Sequence, residues 1–421
     1  MYCGSCLRDN ALAAALLARG HDVVLTPVYT PTRTDERNVS QGHVYFGGIS
    51  VYLEQHSAIF RHTPRFLDRL WDSDWALRLA TKRQIKVDPQ SLGELTVSML
   101  RGERGFQKKE IDKLLDWLRH ERFDVVNLPY TLLLGLAEPL KRTLKAPVCC
   151  TLQGEDLFLD GLGETYRQQS LELIQAASTH VDAFLPVSEY YAGYMPDYLG
   201  LPRSKMRLAP LGINLDGFVA KPHTRTDTFT IGYFARVAPE KGLHVLCEAY
   251  RELRSRPGIG TSRLVVAGYL PPEHQGYLAA LEAQMQAAGL GGQFEYQGEV
   301  DRADKIRFLH SLDVLSVPAT YHEPKGIFLM EAMAAGVPVV QPRHGAFPEI
   351  IGKTGGGLLV DPDNPAALAD GLLALWRDPA LGAAMSAAGA AGVRQHYSVD
   401  RMAEAVEAIY LGLMGTRAQV A

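Results

Sequence analysis

The sequence is poor in the features that would settle a protein class at once. Five cysteines are spread over 421 residues, an odd and sparse set that argues against a disulfide framework and for a reducing compartment. Neither sign of charge dominates. The 43 Lys and Arg stand against 47 Asp and Glu, a formal net charge of −4, so bulk electrostatics gives no reason to expect nucleic acid as a partner. No apolar run is long enough to span a bilayer, and the most tempting one, GIFLMEAMAAGVPVV, carries Glu331 in its middle. No secretory leader is visible, because Arg8 and Asn10 interrupt what would be its apolar region. Tracts of biased composition are also missing. What remains is a globular chain expected in the cytoplasm, too long for one ordinary core, for which two domains are the natural expectation.

What is present is a rhythm. Short apolar, β-branched runs alternate with longer helical patterns along nearly the whole chain. HDVVLTPVY, FDVVNLPY, APVCCTLQG and VDAFLPVS read as strands of a first half, with NALAAALLARG, KKEIDKLLDWLRH and ETYRQQSLELIQAAS as helices between them. FTIGYFA, SRLVVAGY, FEYQGE, DVLSVPA, VPVVQPR and GGGLLVD are strands of a second half, separated by GLHVLCEAYRELRSR, QGYLAALEAQMQAAGL and ALADGLLALW. Alternation of this kind means α/β domains with doubly wound, Rossmann-like parallel sheets. The polar stretch KPHTRTDT marks the break, and two such domains hinged over 214–228 would face a cleft at the carboxyl ends of their strands. The expected division is 1–214, 215–395, and a C-terminal helix over 396–421 that packs back on the first domain.

The chemistry concentrates in VPATYHEPKGIFLMEAMAAGVPVV. Glu323 ends a loop after a strand, and Glu331 lies about two turns beyond Glu323, within the helix that begins near Gly326. That helix N-terminus offers unpaired backbone N–H groups and a partial positive charge, a seat for a diphosphate. Carboxylates on either side of it suit vicinal hydroxyls. Glu331 sits among apolar residues, where an unpaired carboxylate would be costly. In YFARVAPEKGLHVL, Arg236 follows a strand and Lys241 opens the next helix, so both should stand at the same sheet edge. A guanidinium and an ammonium there can hold a diphosphate. The plainer reading of Arg236 is a strand-end salt bridge with Glu240.

ARVAPEKG followed by EPKGIFLMEAMAAGVPVV resembles the donor half of the retaining glycosyltransferases of family 4, which have the GT-B fold. ARGHDVVL, TLQGEDL, LPVSEY, VVAGY, YQGEV, GAFPEII and GLLVDPDNPAALA stand where that family has comparable segments. The resemblance implies transfer of a sugar from a nucleotide-diphospho-sugar to a glycan, lipid or small-molecule hydroxyl. Retention of configuration is implied too, with no metal and no cofactor beyond the nucleotide-sugar. By the same resemblance Arg236 and Lys241 hold the donor diphosphate, Glu331 takes the ribose hydroxyls, and Glu323 faces the sugar. The backbone of Lys325, Gly326 and Ile327 reaches phosphates and sugar, Gly4 lies in the loop over the donor, and Gln153, Gly154 and Glu155 stand on the acceptor and sugar side. Two departures qualify this. Gln153 replaces a usual His and cannot take a proton, and Lys325 replaces a commonly apolar residue.

Other patterns read more plainly. WDSDW (Asp72, Asp74) sits in an amphipathic helical pattern, and VDPDN (Asp361, Asp363) looks like a turn capping a helix near Pro365. Neither is expected to hold a metal. Residues 61–86 mix basic residues with Phe66, Trp71 and Trp75, which suits either peripheral contact with the inner face of a membrane or an acceptor-side helical lid. The opening MYCGSCLRDN would place Gly4 to Asn10 in the turn before the first helix, making Cys3 and Cys6 loop residues rather than a redox or metal pair. No strand precedes that turn, so the first strand of the N-terminal domain is missing and a truncated start is expected. Two rivals stand beside transfer. One is an epimerase or phosphorylase of similar shape, and the other is a non-catalytic relic that binds sugar or nucleotide.

Overall fold

A computed structural model describes residues 4–29, 31–42, 44–46, 55, 89–220 and 227–418. They form two compact units, one of Ser5–Pro210 with Ala403–Ala421 and one of Leu211–Met402 with Met1–Gly4. The readings of 61–86, of Asp72 and Asp74, of Cys3 and of 221–226 lie outside the described residues.

Among the described residues the first unit carries three parallel strands in the order β1 (Val126–Leu128), β2 (Val148–Leu152), β3 (Ala183–Pro186). All five residues of β2 are buried, as expected of a strand covered on both faces. Helices pack on the sheet through Ile111, Leu114, Leu115, Leu140, Ile174, Tyr191 and Met195. Burying each large apolar side chain contributes about 1.5–3 kcal/mol.

Two expectations need correction here. HDVVLTPVY does not join the sheet as a strand. Its backbone bonds instead to residues 41–45, with Gln41 N to Leu25 O at 2.8 Å and Tyr45 N to Pro27 O at 3.1 Å, and among the described residues it forms a single bridge, Val28 to Tyr45. Pro27 has no N–H to continue a ladder. Gly4 to Asn10 are not a turn but the first turns of the helix Gly4–Ala18. Arg8 and Asn10 are buried in it, with Arg8 Nη1 on Asp9 at 2.8 Å and Asn10 Nδ2 on the Arg37 carbonyl at 3.0 Å.

The helix Val399–Ala418 starts in the second unit and ends in the first. Its Glu407 takes hydrogen bonds from Arg19 Nη2 at 2.5 Å and His21 Nε2 at 2.7 Å.

The second unit has six parallel strands, β4 (Phe229–Phe234), β5 (Ser262–Ala267), β6 (Phe294–Tyr296), β7 (Val314–Leu315), β8 (Val339–Pro342) and β9 (Gly357–Val360). Their order is β6-β5-β4-β7-β8-β9. The chain winds outward from β4 through β5 to β6, then returns to β4's other side. The order therefore reverses between β4 and β7, and the loops leaving those two strands diverge at their carboxyl ends. Open parallel sheets bind ligands at such a point. The loop after β4 carries Arg236 and Lys241, and the loop after β7 carries Glu323. The winding order brings these two segments of sequence together.

Candidate active site

Two backbone features hold the loops in place. Thr320 N donates to Glu240 O at 3.0 Å, which ties the loop after β7 to the loop after β4. Gly242 closes the short turn Pro239–Lys241 with φ 74°, and a Cβ there would stand 1.8 Å from the Pro318 carbonyl oxygen. Only glycine fits. Its position fixes Lys241 immediately before the helix Leu243–Ser255.

Lys241 then meets Glu323. Its Nζ lies 2.5 Å from Glu323 Oε2 and 2.6 Å from the Tyr321 hydroxyl, and that hydroxyl in turn donates to the same carboxylate. The Tyr321 ring stands 4.8 Å from the ammonium and the Phe328 ring 5.8 Å. Glu323 is 2% exposed. Burial pushes its carboxyl up, but Lys241 and Lys325, with hydrogen bonds from Lys241 and Tyr321, outweigh it and bring the group down to about 2. Its Oε1 also accepts from the Lys325 backbone N–H at 3.2 Å. The carboxylate is therefore anionic at any working pH and too weak a base to take a proton in catalysis. It can accept hydrogen bonds and hold Lys241. Two of the three Lys241 N–H donors are used, and the third has no partner among the described residues.

Gly326 is the N-cap of the helix Ile327–Ala334, in the left-handed region at φ 62°. No side chain caps it, so the first backbone N–H groups of this helix remain for a ligand. Further along, Glu331 is 7% exposed and accepts from Lys305 Nζ at 2.6 Å. Arg236 is paired with Glu240, its side chain about a third exposed. The plain salt-bridge reading is thus also present. A pair at that exposure contributes only about 0–1 kcal/mol, so the guanidinium can be given up to a stronger anion at little cost.

In the first unit Glu155 is turned inward, 4% exposed. It accepts from Gln153 N at 2.8 Å, Gly154 N at 3.0 Å, Thr131 N at 3.3 Å and Thr131 Oγ1 at 3.2 Å. Burial raises its carboxyl despite those bonds. It shapes the turn that carries Gln153 and Gly154. Gln153 donates to the Pro129 carbonyl at 2.8 Å and to Asp9 at 3.3 Å, while its Oε1 is buried without a partner. Gly4, grouped with the second unit, opens the helix Gly4–Ala18.

The structure thus gathers Lys241, Glu323, Lys325, Gly326 and Ile327 around one helix N-terminus, and it holds Glu331 on the same helix. Lys305 and Tyr321 were not among the residues singled out from sequence. Lys305 had a signal, a lysine at the spacing of Phe308 and Leu309 on the apolar face of the helix Arg302–His310. Tyr321 had none beyond its place two residues before Glu323.

Among the described residues no group of three or more His, Cys, Asp or Glu is arranged to hold a metal, and no helix is long and apolar enough to cross a membrane. Asp361 and Asp363 lie in a turn before the helix Pro365–Arg377, whose N-cap is Asn364, accepting from Ala367 N at 3.0 Å.

Two family models match this chain, the glycosyl transferase 4-like domain over residues 10–212 and the glycosyl transferases group 1 over residues 218–391. The phosphatidyl-myo-inositol mannosyltransferase of Mycobacterium tuberculosis is 28% identical over 323 residues, which is 73% of this chain and 79% of that one. The lipopolysaccharide core biosynthesis mannosyltransferase LpsB of Rhizobium meliloti is 32% identical over 189 residues, 44% of this chain and 52% of its own. Sucrose-phosphate synthase from Thermosynechococcus elongatus superposes with a TM-score of 0.70 at 19% identity, covering 96% of this chain and 92% of that one. Anabaena Alr3699/HepE gives 0.66 at 16% identity, covering 93% and 100%. At such identities the structural likeness speaks for the fold alone.

Proposed function

The chain belongs to family 4 of the glycosyltransferases, with their GT-B fold, and from that premise we propose that it moves a sugar from a nucleotide-diphospho-sugar to an acceptor hydroxyl with retention of configuration, without a metal and with no cofactor besides the donor. The observation that carries the donor assignment is the unused N–H of Lys241 beside the uncapped helix at Gly326. A cation whose other donors are pinned by a buried carboxylate and a tyrosine is preorganised, and a helix N-terminus next to it adds backbone donors for the same phosphates. Arg236 exchanges Glu240 for the diphosphate. As the glycosidic bond to phosphate breaks, negative charge grows on the leaving diphosphate, and these groups neutralise it with little reorganisation. Glu323, anionic throughout, accepts hydrogen bonds from the sugar hydroxyls, and Glu331 accepts from the ribose. On the acceptor side, the unpartnered Oε1 of Gln153 is suited to accept from a hydroxyl.

The named relatives are mannosyltransferases acting on a phosphatidyl-inositol or in lipopolysaccharide core synthesis, so a mannosyl donor and a glycan or lipid acceptor are the first to try. Cys149, Cys150 and Cys247 are buried thiols without a disulfide, which supports a cytoplasmic setting.

The test is a thermal-shift panel of UDP, GDP, ADP and their sugar conjugates on wild type and Arg236→Ala. At a hundredfold excess over Kd a ligand selective for the folded state adds about 2.7 kcal/mol. One base family stabilising wild type but not the variant is the expected result, followed by release of that nucleoside diphosphate on transfer and a product with the donor's anomeric configuration. A panel without any shift overturns the donor assignment.

A further inference from the structure

Lys305 is an unusual residue for its place. It shares the buried face of the helix Arg302–His310 with Phe308 and Leu309 and is 4% exposed. Its Nζ donates to Glu331 Oε1 at 2.6 Å, from an element 26 residues earlier in the chain. The other carboxylate oxygen, Oε2, makes no hydrogen bond among the described residues and is not sealed from solvent. Buried ion pairs are weak devices for stability, since well-packed apolar residues serve as well. A buried lysine aimed at this carboxylate therefore calls for another reason.

We propose that Lys305 is a positioning residue for donor binding: by holding Oε1 of Glu331 it fixes the carboxylate so that Oε2 meets the ribose hydroxyls. The inference rests on the reading of Glu331 as the ribose-binding group. Two physical effects support it. A carboxylate anchored at one oxygen accepts at the other along a set direction, so less is lost in ordering it when the ligand arrives. The ammonium also cancels a charge that stands four residues, about 6 Å, along the helix from the N-terminus that receives the diphosphate. An uncompensated Glu331 would repel the donor's phosphates.

The experiment compares binding of a ribonucleoside diphosphate with that of its 2′,3′-dideoxy counterpart by calorimetry, using the base that stabilises wild type. Wild type is expected to prefer the ribonucleotide by about tenfold or more, the size of one or two hydrogen bonds to a charged acceptor. Lys305→Met is expected to bring the two ligands within about threefold of each other, mainly by weakening the ribonucleotide, and to raise the donor KM more than it lowers kcat. Lys305→Arg should keep most of the preference. A folded Lys305→Met that retains the full preference overturns the proposal, and so does one that weakens both ligands equally, as a merely structural residue would. Should Lys305→Met not fold, Lys305→Leu carries the same expectation, since it too leaves Oε1 without a donor. Glu331→Ala separates the two levels. If wild type shows no ribose preference, the reading of Glu331 fails and the proposal falls with it. If wild type has the preference and Glu331→Ala loses it while Lys305→Met keeps it, only the role of Lys305 is refuted.

Discussion

Replacing Lys241 by methionine should reverse the way the stability that Glu323 contributes responds to pH. The carboxyl of Glu323 sits at about 2 in the folded protein against an ordinary 4.5. A drop of that size corresponds to about 3 kcal/mol of stability. Because the folded group is the stronger acid, the contribution is fully present above pH 4.5 and is lost as pH falls through 4.5 toward 2. Lys241→Met removes the ammonium at 2.5 Å from a carboxylate that is 2% exposed. Burial then acts against Lys325 and Tyr321 alone, and leaving one member of a buried pair uncompensated costs about 3–5 kcal/mol at pH 7. The variant's carboxyl should titrate above its ordinary value. It then takes up a proton more readily folded than unfolded, and lowering the pH from 7 to 5 should recover stability where wild type gains none from this residue. The assay is thermal unfolding of the full chain between pH 4 and 8, for wild type, Lys241→Met and Lys241→Met/Glu323→Gln. At neutral pH the single variant should melt on the order of 10 °C lower, and the double variant, with a neutral amide in place of the stranded charge, should regain much of that. Parallel curves of Tm against pH for wild type and Lys241→Met would refute the reasoning, as would a double variant no more stable than the single.

Three further outcomes follow from the geometry. Gly242→Ala should destabilise the second unit by about 3 kcal/mol, combining a left-handed backbone with a Cβ driven into the Pro318 carbonyl, and denaturant unfolding that finds less than about 1 kcal/mol would contradict it. Arg236→Ala should leave the melting temperature within about 2 °C of wild type while abolishing the nucleotide-induced shift, and a large loss of stability would make its pair with Glu240 structural instead. Glu155→Ala strands the N–H groups of Gln153, Gly154 and Thr131 and should cost about 3 kcal/mol or more, with Thr131→Val, which removes only the hydroxyl contact, costing about 1 kcal/mol, both read by chemical denaturation.

The second unit was legible because its inner strands are largely covered on both faces. FTIGYFA, SRLVVAGY and VPVVQPR are continuous apolar runs, and each became a parallel strand. The site segments followed from their place after strands and at a helix start. The first unit was less transparent. HDVVLTPVY has the composition of a strand, but whether it pairs depends on its neighbours, and its bonds go to residues 41–45. CGSCLRDN looked like a turn because of its glycine and polar residues, yet the helix takes in both Arg8 and Asn10 as buried residues with their own partners. Lys305 could be suspected from its place on an apolar helix face, but its partner is 26 residues away on another element. Periodicity reports which face is buried, not what is buried against it.

The grouping of Ala403–Ala421 with Ser5–Pro210 has a consequence for how the chain matures. On the ribosome, Pro210 emerges about 190 residues before Ala403, an interval of about 10–40 s at ordinary elongation rates. Through that time the face that will receive Glu407 at Arg19 and His21 has no covering helix. The unit encoded first is therefore the last to be completed, and a ribosome that stalls within the second unit releases a first unit still open on that side.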